Sequence, residues 1–333
     1  MTIEQAKARD RGELLAFLLA VFRAARPDHP PFEDIYPDLF LEDDEVLGRH
    51  AVVREGGRII ACVGTYLIPA QIGGCRVMTA GVGQVATDPA ARGKGCMTAL
   101  LDHELARCRE EGALVAWLGG RRDRYAHFGF DDAGLLYDYW LDAHSTRDVP
   151  RSRTVRHVDA TAPDAVSPAF FAFRERMADT ALVPLETLRL QMTRLGFKFE
   201  IWSSLPEGAT EPDAWAIIDA KNNRIEEWCG SAEGRLEIAC AYCAEHHAVR
   251  RTESPADVEM GRLLHDLSVH TSPSARTLAV LDARGLLKAL APFVPADFAL
   301  PEDAKPLDLP HLLFGPGRGT AELPFYMPGI FHV

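Results

Sequence analysis

Apolar positions along the first half of the chain switch between the spacing of helices and that of strands. Over residues 11–23, leucine and phenylalanine recur every three or four positions, which predicts an amphipathic helix. Residues 51–87 instead form three strand-like stretches separated by glycine pairs, which predicts a β-meander. A second amphipathic helix is predicted over residues 94–111, followed by a buried strand in the apolar run 114–118.

The second half repeats this order loosely. A polar stretch at residues 143–153 predicts a linker. Beyond it, the pattern predicts helices over residues 168–177, 185–195 and 232–246 and strands over residues 197–202, 215–218 and 224–228. Residues 277–333 contain one strand–helix unit and then a proline-rich tail. The repeat contains no second glycine-rich loop.

Composition and charge exclude several classes of protein. A chain of 333 residues is too long for one ordinary core and suggests two domains with a smaller third. Its formal net charge of −12 argues against nucleic-acid binding, because phosphate recognition needs a basic surface. No apolar run is long enough to span a membrane, and the N-terminus lacks a signal-peptide pattern. Seven cysteines without a framework spacing fit free thiols in the cytoplasm.

The strongest chemical signal lies at residues 85–97, where a strand ends, a loop with two glycines turns and a helix begins. The free N–H groups of the loop and of the first helical turn point at one spot, together with the positive end of the helix dipole. Glycine lets the backbone approach a bulky anion closely. Arg92-Gly93-Lys94-Gly95 therefore predicts a pyrophosphate cradle, although the same four residues in isolation would be a solvated basic turn.

Two other glycine-rich segments are rejected as phosphate loops. Residues 81–86 match the dinucleotide fingerprint, but that motif must open a helix and Pro89 follows almost at once. We interpret them as strand, with glycines that permit a bulge or close approach of a ligand. Residues 315–319 have neither a following helix nor a Lys-Ser/Thr pair, and are interpreted as a turn.

Two motifs in order carry a family resemblance. Arg92-x-x-Gly95 stands between a strand and a helix, and the next strand is followed by Tyr125-Ala-His-Phe-Gly129-Phe130. This combination resembles the GNAT acetyltransferase superfamily over residues 1–140. The resemblance implies a twisted mixed sheet that is split open at a bulge, with acetyl-CoA as co-substrate in the gap. It also implies that the pantetheine pairs with the strand residues Val85, Ala86 and Thr87 and that backbone amides hold the pyrophosphate, namely those of Arg92, Gly93, Lys94, Gly95, Cys96 and Met97.

Two departures from the family pattern point to one branch of it. Met97 stands where Gly or Ala is usual, and Gly119-Gly120-Arg121 replaces an asparagine often found after the next strand. Both departures also occur in the subgroup related to the enhanced-intracellular-survival acetyltransferases. That resemblance implies an α+β fold in three parts. These are a GNAT acetyl-CoA-binding domain at residues 1–145, a degenerate GNAT-like domain at residues 150–275, and a short sterol-carrier-like portion with the tail at residues 276–333.

Two residues are candidates for the chemistry. Tyr125 stands where the family places its general acid, and a phenol, with an ordinary pKa of about 10, suits protonation of a thiolate. A core tyrosine whose hydroxyl satisfies a buried group is the alternative. In the related subgroup the C-terminal carboxylate enters the active site, which implies that the carboxylate of Val333 lies near Tyr125. The apolar ending 324–333 fits this and equally fits a tail docked for stability alone.

Two further clusters carry weaker signals. Cys240 and Cys243, with His246 and His247, have the residue types of a metal site but fall within one helical pattern, so no metal is expected. The acidic run 42–45 is either a solvated loop or part of a site for a cationic acceptor.

The sequence as a whole predicts an N-acetyltransferase that moves an acetyl group from acetyl-CoA to a primary amine of a small molecule or peptide. Neither a nucleic acid nor a membrane is expected as a partner, and the expected location is the cytoplasm. The alternative is a non-catalytic acyl-CoA sensor or a lipid-binding protein. The acceptor, the preferred acyl chain, the general base and the oligomeric state stay open.

Overall fold

Thirteen strands of the described residues join into one mixed sheet with helices packed on its two faces. The structure is a computed structural model that describes residues 1–162, 165–177, 179–253, 257–315 and 320–325. The predicted fold class, a mixed α/β fold with a large mixed sheet flanked by helices, is confirmed. The division into parts at residues 1–145, 150–275 and 276–333 stays a prediction.

The strands and helices have the following bounds in the described residues. The strands are β1 Ile3–Gln5, β2 His50–Glu55, β3 Arg58–Ile72, β4 Cys75–Thr87, β5 Val115–Leu118, β6 Asp131–Asp142, β7 Thr154–Asp159, β8 Thr180–Ala181, β9 Phe199–Leu205, β10 Ala214–Asp219, β11 Arg224–Gly230, β12 Ala248–Glu253 and β13 His270–Val280. The helices are α1 Arg11–Ala25, α2 Phe32–Ile35, α3 Asp44–Leu47, α4 Cys96–Glu110, α5 Arg122–Tyr125, α6 Pro168–Arg174, α7 Leu185–Gln191, α8 Ala232–His246, α9 Val258–Leu267, α10 Ala283–Ala289 and α11 Leu309–Phe314. Short 3₁₀ turns cover Ala8–Asp10, Pro89–Ala91, Ala126–Phe128 and Ala291–Phe293.

The N-terminal part of the sheet has a helix on each face because successive residues of a strand point to opposite sides. On β2 and β3, Val53 and Ala61 pack into the cluster that contains the apolar face of α4. Their neighbours Val52 and Cys62 pack into the cluster that contains α1. This is the arrangement that the predicted β-meander and two amphipathic helices require.

The strand order is β1-β2-β3-β4-β5-β13-β6-β12-β11-β10-β9-β7, and β8 pairs with β3 beside this path. The C-terminal strand β13 therefore lies between β5 and β6, antiparallel to both. Thr277 pairs with Leu118 on one side and with Asp132 on the other. Residues from the end of the chain thus complete the sheet that the N-terminal half begins.

Most predicted elements are confirmed with shifted ends, and several were missed. The helix predicted over residues 232–246 is α8, and residues 143–153 connect β6 to β7. The helix predicted from residue 94 begins at Cys96, because Gly95 adopts a left-handed φ of 78° and caps it. Elements without a sequence prediction are β1, β6, β7, β8, β12, α2, α3, α5, α9 and α11.

Candidate active site

An extra residue in β4 opens the sheet beside β5. The parallel pairing of these two strands ends at Val82 opposite Leu118. On the other side of β4, Gly83 pairs with Gly64 and Ala86 with Cys62. Over this step β4 therefore contains one more residue than β3. Gln84 lies within that step and has a left-handed φ of 46°. The bulge interpreted from the glycines of residues 81–86 is confirmed.

The bulge reverses which backbone groups of β4 face the opening. Before it, the carbonyl of Met78 accepts from Leu114 at the start of β5, so even-numbered residues face β5. After it, the amide of Asp88 donates to Ile60 of β3, so even-numbered residues face β3. Val85 and Thr87 consequently turn their N–H and C=O groups toward the opening. Ala86, which was predicted with them, pairs with β3 instead.

The loop that follows β4 ends in a set of free amides at the start of α4. Gly93 and Gly95 both have a φ of 78°, and a Cβ at either position would meet open space. Among the described residues, no group accepts from the amides of Gly93, Gly95, Cys96 or Met97, whereas those of Arg92 and Lys94 donate weakly back into the turn. The first turn of α4 also contains no acidic residue that would compete for these amides.

The side chains of the loop divide into two groups. The Nζ of Lys94 lies 2.9 Å from a carboxylate oxygen of Glu55 on the exposed surface, so this ammonium is directed away from the amides. Arg92 instead lines the cleft, and so does Arg124 of α5. The cleft has a volume of about 670 Å³ and is walled by Val85 and Thr87, the loop, and the end of α1. A long anionic ligand would find backbone pairing groups, free amides and two guanidinium groups along one path.

A second cavity of about 310 Å³ continues the first toward the interior, and the two share Phe22, Val85 and Arg124. Tyr125 lies at the end of α5 and lines this inner cavity. Its side chain is 6% exposed, and burial raises the pKa of its phenol, opposed by the positive charge of Arg124. The phenol is therefore protonated at neutral pH and has a proton to donate.

Gly120 explains how the tyrosine ring fits beside β5. A Cβ at residue 120 would lie 2.6 Å from Cε2 of Tyr125 and 2.9 Å from a methyl carbon of Leu118. The other side of the ring packs edge-on against Phe130, with ring centroids 6.1 Å apart. The glycine that departs from the family's asparagine thus provides the space that the ring occupies.

His29 also lines the inner cavity, although nothing in the sequence singled it out. Its side chain is 8% exposed, stacked on Phe32 with ring centroids 4.8 Å apart. Nδ1 lies 2.7 Å from the carbonyl of Pro30, which can only accept, so Nδ1 carries the proton. Nε2 has no hydrogen-bond partner among the described residues and retains its lone pair. In the sequence, Pro27, Pro30 and Pro31 around it indicate a bend and no chemistry.

The remaining candidates divide between described and undescribed residues. Val333 lies outside the described residues, as do residues 316–319 of the glycine-rich segment interpreted as a turn. Cys240 and Cys243 are buried on α8, and burial raises their thiol pKa values to about 11 and about 12. Across the described ranges, no group of three or more His, Cys, Asp or Glu side chains could hold a metal ion. No described helix is both long and apolar enough to cross a membrane.

Comparison with known proteins agrees with this geometry. Residues 2–133 match the family model described as "Acetyltransferase (GNAT) domain". The comparison with curated proteins gave no match. Among solved structures, the chain is similar to a GCN5-related N-acetyltransferase from Kribbella flavida, at 21% identity over 86% of this chain and 73% of that chain, with a TM-score of 0.64.

Two further solved structures are similar over comparable lengths. A GCN5-related N-acetyltransferase from Anabaena variabilis ATCC 29413 is 17% identical over 86% of this chain and 74% of that chain, with a TM-score of 0.66. Eis1 from Mycobacterium abscessus is 18% identical over 86% of this chain and 75% of that chain, with a TM-score of 0.62. Similarity at these identities shows a shared fold.

Residues 2–133 are thus a GNAT acetyltransferase domain, and the resemblance deduced from Arg92-x-x-Gly95 and the Tyr125 motif is confirmed. Eis1 is among the structural neighbours, and the subgroup that the two departures indicate stays a prediction. The GNAT family is defined by acyl transfer from acyl-CoA, so the domain match supports an acyltransferase.

Proposed function

We propose that the protein transfers an acetyl group from acetyl-CoA to a primary amine of a small molecule or peptide by direct attack. One observation carries this proposal. The extra residue at Gln84 turns the backbone of Val85 and Thr87 into a cleft whose far end is formed by the free amides at the start of α4. This arrangement suits a ligand with an amide-containing arm and a pyrophosphate, which is the chemistry of acetyl-CoA.

In the proposed reaction the arm of acetyl-CoA pairs with Val85 and Thr87, and the thioester enters the inner cavity beside Tyr125. The amine nitrogen attacks the thioester carbon, and a backbone N–H of the opened strand stabilises the oxyanion. The carbon–sulfur bond then breaks, and the phenol of Tyr125 gives its proton to the departing thiolate. The amine must also lose a proton, which requires a base in the same cavity.

The proposal is tested by measuring release of the CoA thiol across a panel of primary amines, small molecules and short peptides. Turnover with any of them supports the enzyme. Tight acyl-CoA binding without turnover across the panel would favour the alternative, an acyl-CoA sensor. The seven cysteines, all free, support a location in the reducing cytoplasm as part of this proposal.

His29 is our candidate for the base, because its Nε2 keeps a lone pair in the cavity that contains Tyr125. Glutamine at this position retains a hydrogen-bonding group of similar length and cannot take up the proton. We expect His29→Gln to lower kcat/KM about 100-fold, because the variant cannot accept the proton of the attacking amine. The measurement is kcat/KM for the best amine.

His127 provides the matched control, since it is a histidine only two residues from Tyr125 but is exposed. His127→Gln should leave kcat/KM as it is in the wild type. An unchanged kcat/KM in His29→Gln would assign the proton transfer to another group.

We retain the carboxylate of Val333 as a further proposed participant near Tyr125. The described tail ends at Phe325, which is buried against Phe314 with ring centroids 5.6 Å apart. Extending the chain by Gly-Ser-Gly-Ser after Val333 moves the carboxylate away from its proposed place. We expect kcat/KM to fall at least tenfold while acetyl-CoA binding is kept. The measurement is kcat/KM together with calorimetric titration of acetyl-CoA.

The same four residues placed before Met1 serve as the control for the extension. If the C-terminal extension leaves turnover unchanged, the carboxylate has no catalytic part and the apolar ending serves stability alone.

A further inference from the structure

The outer edge of β3 is interrupted by a gap between two neighbouring strands. β2 pairs with β3 as far as His50 opposite Gly64, and the amide of Thr65 donates to Arg49 over 2.9 Å. β8 takes up the edge again, and the amide of Leu182 donates to the carbonyl of Pro69 over 2.7 Å. In between, Tyr66, Leu67 and Ile68 have no partner strand on this side among the described residues. We name these three positions the β3 notch.

The alternation of an antiparallel strand decides which groups the notch presents. The bonds made by Thr65 and Pro69 both point outward, away from β4, so Leu67 midway between them also points outward. Neither the N–H nor the C=O of Leu67 has a hydrogen-bond partner in the described part of the chain. On the inner side Leu67 lies opposite Ala80 of β4, but its N–H and C=O take no part in that pairing. The notch therefore presents one free N–H and one free C=O, both of Leu67, and the backbone on each side of it is paired.

The notch opens on a cavity of about 500 Å³ between β3, Leu182–Pro184 and α7. Gln191 of α7 lines the cavity and is 6% exposed. Its Nε2 donates to Asp38 over 3.1 Å, whereas its Oε1 is buried without a partner. A buried amide oxygen without a donor costs stability, so this oxygen is an acceptor that a ligand can satisfy. The place of Gln191 in the cavity lining is an observation independent of the notch itself.

The charges around the cavity favour a cation. Asp38 and Glu45 both line it, and the only described donor to the Asp38 side chain from another residue is the neutral amide of Gln191. Burial raises the pKa of Asp38, opposed by Gln191 and by the positive charge of Arg194, so an additional cation in the cavity would favour its ionised form. Arg49 is already paired with Glu111 over 2.6 Å.

From this geometry we infer that the β3 notch binds a peptide in extended conformation, which adds a short strand between Leu182 and Arg49 with a basic group facing Asp38. Four residue steps separate the two flanking bonds, so the open length is about 14 Å. A peptide meets these demands because each of its residues carries one N–H and one C=O, and addition of a strand to a sheet edge is a known recognition mode. A simple amine has no such paired groups to offer Leu67.

This inference rests on the proposed function for its catalytic part, in which the bound peptide is the acetyl acceptor. Tyr66 connects the two sites, since it lines the notch cavity and its hydroxyl donates to Oε1 of Gln84 over 2.5 Å. Gln84 in turn lines the inner cavity that contains Tyr125. A peptide in the notch thus lies across the Tyr66–Gln84 pair from the proposed general acid.

The test is calorimetric titration of the full-length protein with the amidated tetrapeptide Ala-Lys-Val-Lys and with the same peptide methylated at its internal amide nitrogens. Methylation removes the peptide's main-chain donors and keeps its charges. We expect the methylated peptide to bind at least tenfold more weakly. We also expect the unmethylated peptide to bind measurably in the absence of acetyl-CoA.

Leu67→Pro tests the protein side of the same bonds. Proline lacks the outward N–H, and it is tolerated at an edge position whose N–H faces away from the ladder, as the natural Pro69 shows. We expect Leu67→Pro to weaken binding of the unmethylated peptide about tenfold. Leu67→Ala, which keeps the N–H and loses the side chain, should stay within about threefold of the wild type. Unchanged acetyl-CoA binding in both variants establishes that they are folded.

The outcomes separate this inference from the proposed function. No peptide binding, equal binding of the methylated peptide, or equal behaviour of Leu67→Pro and Leu67→Ala would overturn the notch site even if simple amines are acetylated. Peptide binding with the expected losses but without acetylation supports the site and removes its catalytic part. A concentration-dependent dimer that Leu67→Pro abolishes would assign the notch to a second copy of the chain and overturn the proposal.

Discussion

Gly95→Trp is expected to abolish binding of acetyl-CoA. The space beside residue 95 is open, so an indole there would fill the place to which the free amides of Gly93 and Cys96 point. Residue 95 is the N-cap of α4 and has a left-handed φ of 78°. A tryptophan there is strained, and this strain disturbs the start of the helix. We expect the dissociation constant to rise more than 100-fold in calorimetric titration. A wild-type constant in the micromolar range corresponds to about −8 kcal/mol, so such a loss is readily measured.

Gly57→Trp is the matched control, because Gly57 has a φ of 79°, open surroundings and a place in the turn between β2 and β3. It carries the same backbone strain and the same added indole at a distance from the cleft. Equal loss of binding in both variants would point to general destabilisation. If the wild type itself does not bind acetyl-CoA, the acetyltransferase proposal loses its foundation.

Tyr125→Phe is expected to lower kcat by a factor of about 100 to 10,000 and to leave acetyl-CoA binding unchanged. Phenylalanine fills the space beside Gly120 and Phe130 that the ring occupies, and lacks only the hydroxyl group whose proton the thiolate would receive. The measurement is kcat from CoA release, with the dissociation constant of acetyl-CoA measured on the same preparation.

Tyr139→Phe is the control for this substitution. Tyr139 lies on β6, is 5% exposed and packs in the core of the second half, so it matches Tyr125 in burial but lies in another core cluster. Its variant should turn over at the wild-type rate. Loss of acetyl-CoA binding together with kcat in Tyr125→Phe would instead make the hydroxyl a binding group.

The raised pKa of Tyr125 sets the sign of one pH effect on turnover. The folded pKa lies above the ordinary value of about 10, so the phenol keeps its proton, and its acid function, up to a pH above 10. Raising the pH from 7 to 9 should therefore cause no loss of turnover that depends on Tyr125.

The cleft could be predicted from the sequence because its signals are local. Gly93 and Gly95 indicate the turn, and the apolar face of α4 follows directly. The glycines of residues 81–86 indicate the bulge in β4. Each of these properties depends on a few neighbouring residues and on backbone geometry. Even so, only Val85 and Thr87 of the predicted strand residues turn toward the opening, because the number of residues in the bulge fixes the alternation.

His29 and the β3 notch could not be predicted because they exist only through tertiary contacts. His29 follows a helix by a few residues, and its neighbour Tyr125 arrives almost a hundred positions later. The notch depends on where β2 begins, at His50, and where β8 ends, at Ala181, and β8 comes from the second half of the chain. A pattern of apolar positions describes which residues a strand buries, but does not show which part of its edge stays unpaired.

The position of β13 has a consequence for how the protein is made. β5 ends at Leu118 and β6 begins at Asp131, yet the strand that belongs between them begins only at His270. At 5–20 residues per second, ribosomes add the intervening stretch over roughly 8–30 s. During that time the emerging acetyltransferase domain has two adjacent strand edges without their partner, which are open to association with other nascent chains. Maturation of the N-terminal domain thus waits for translation of the C-terminal part, and synthesis that stops early would yield an incomplete sheet in place of a small independent enzyme.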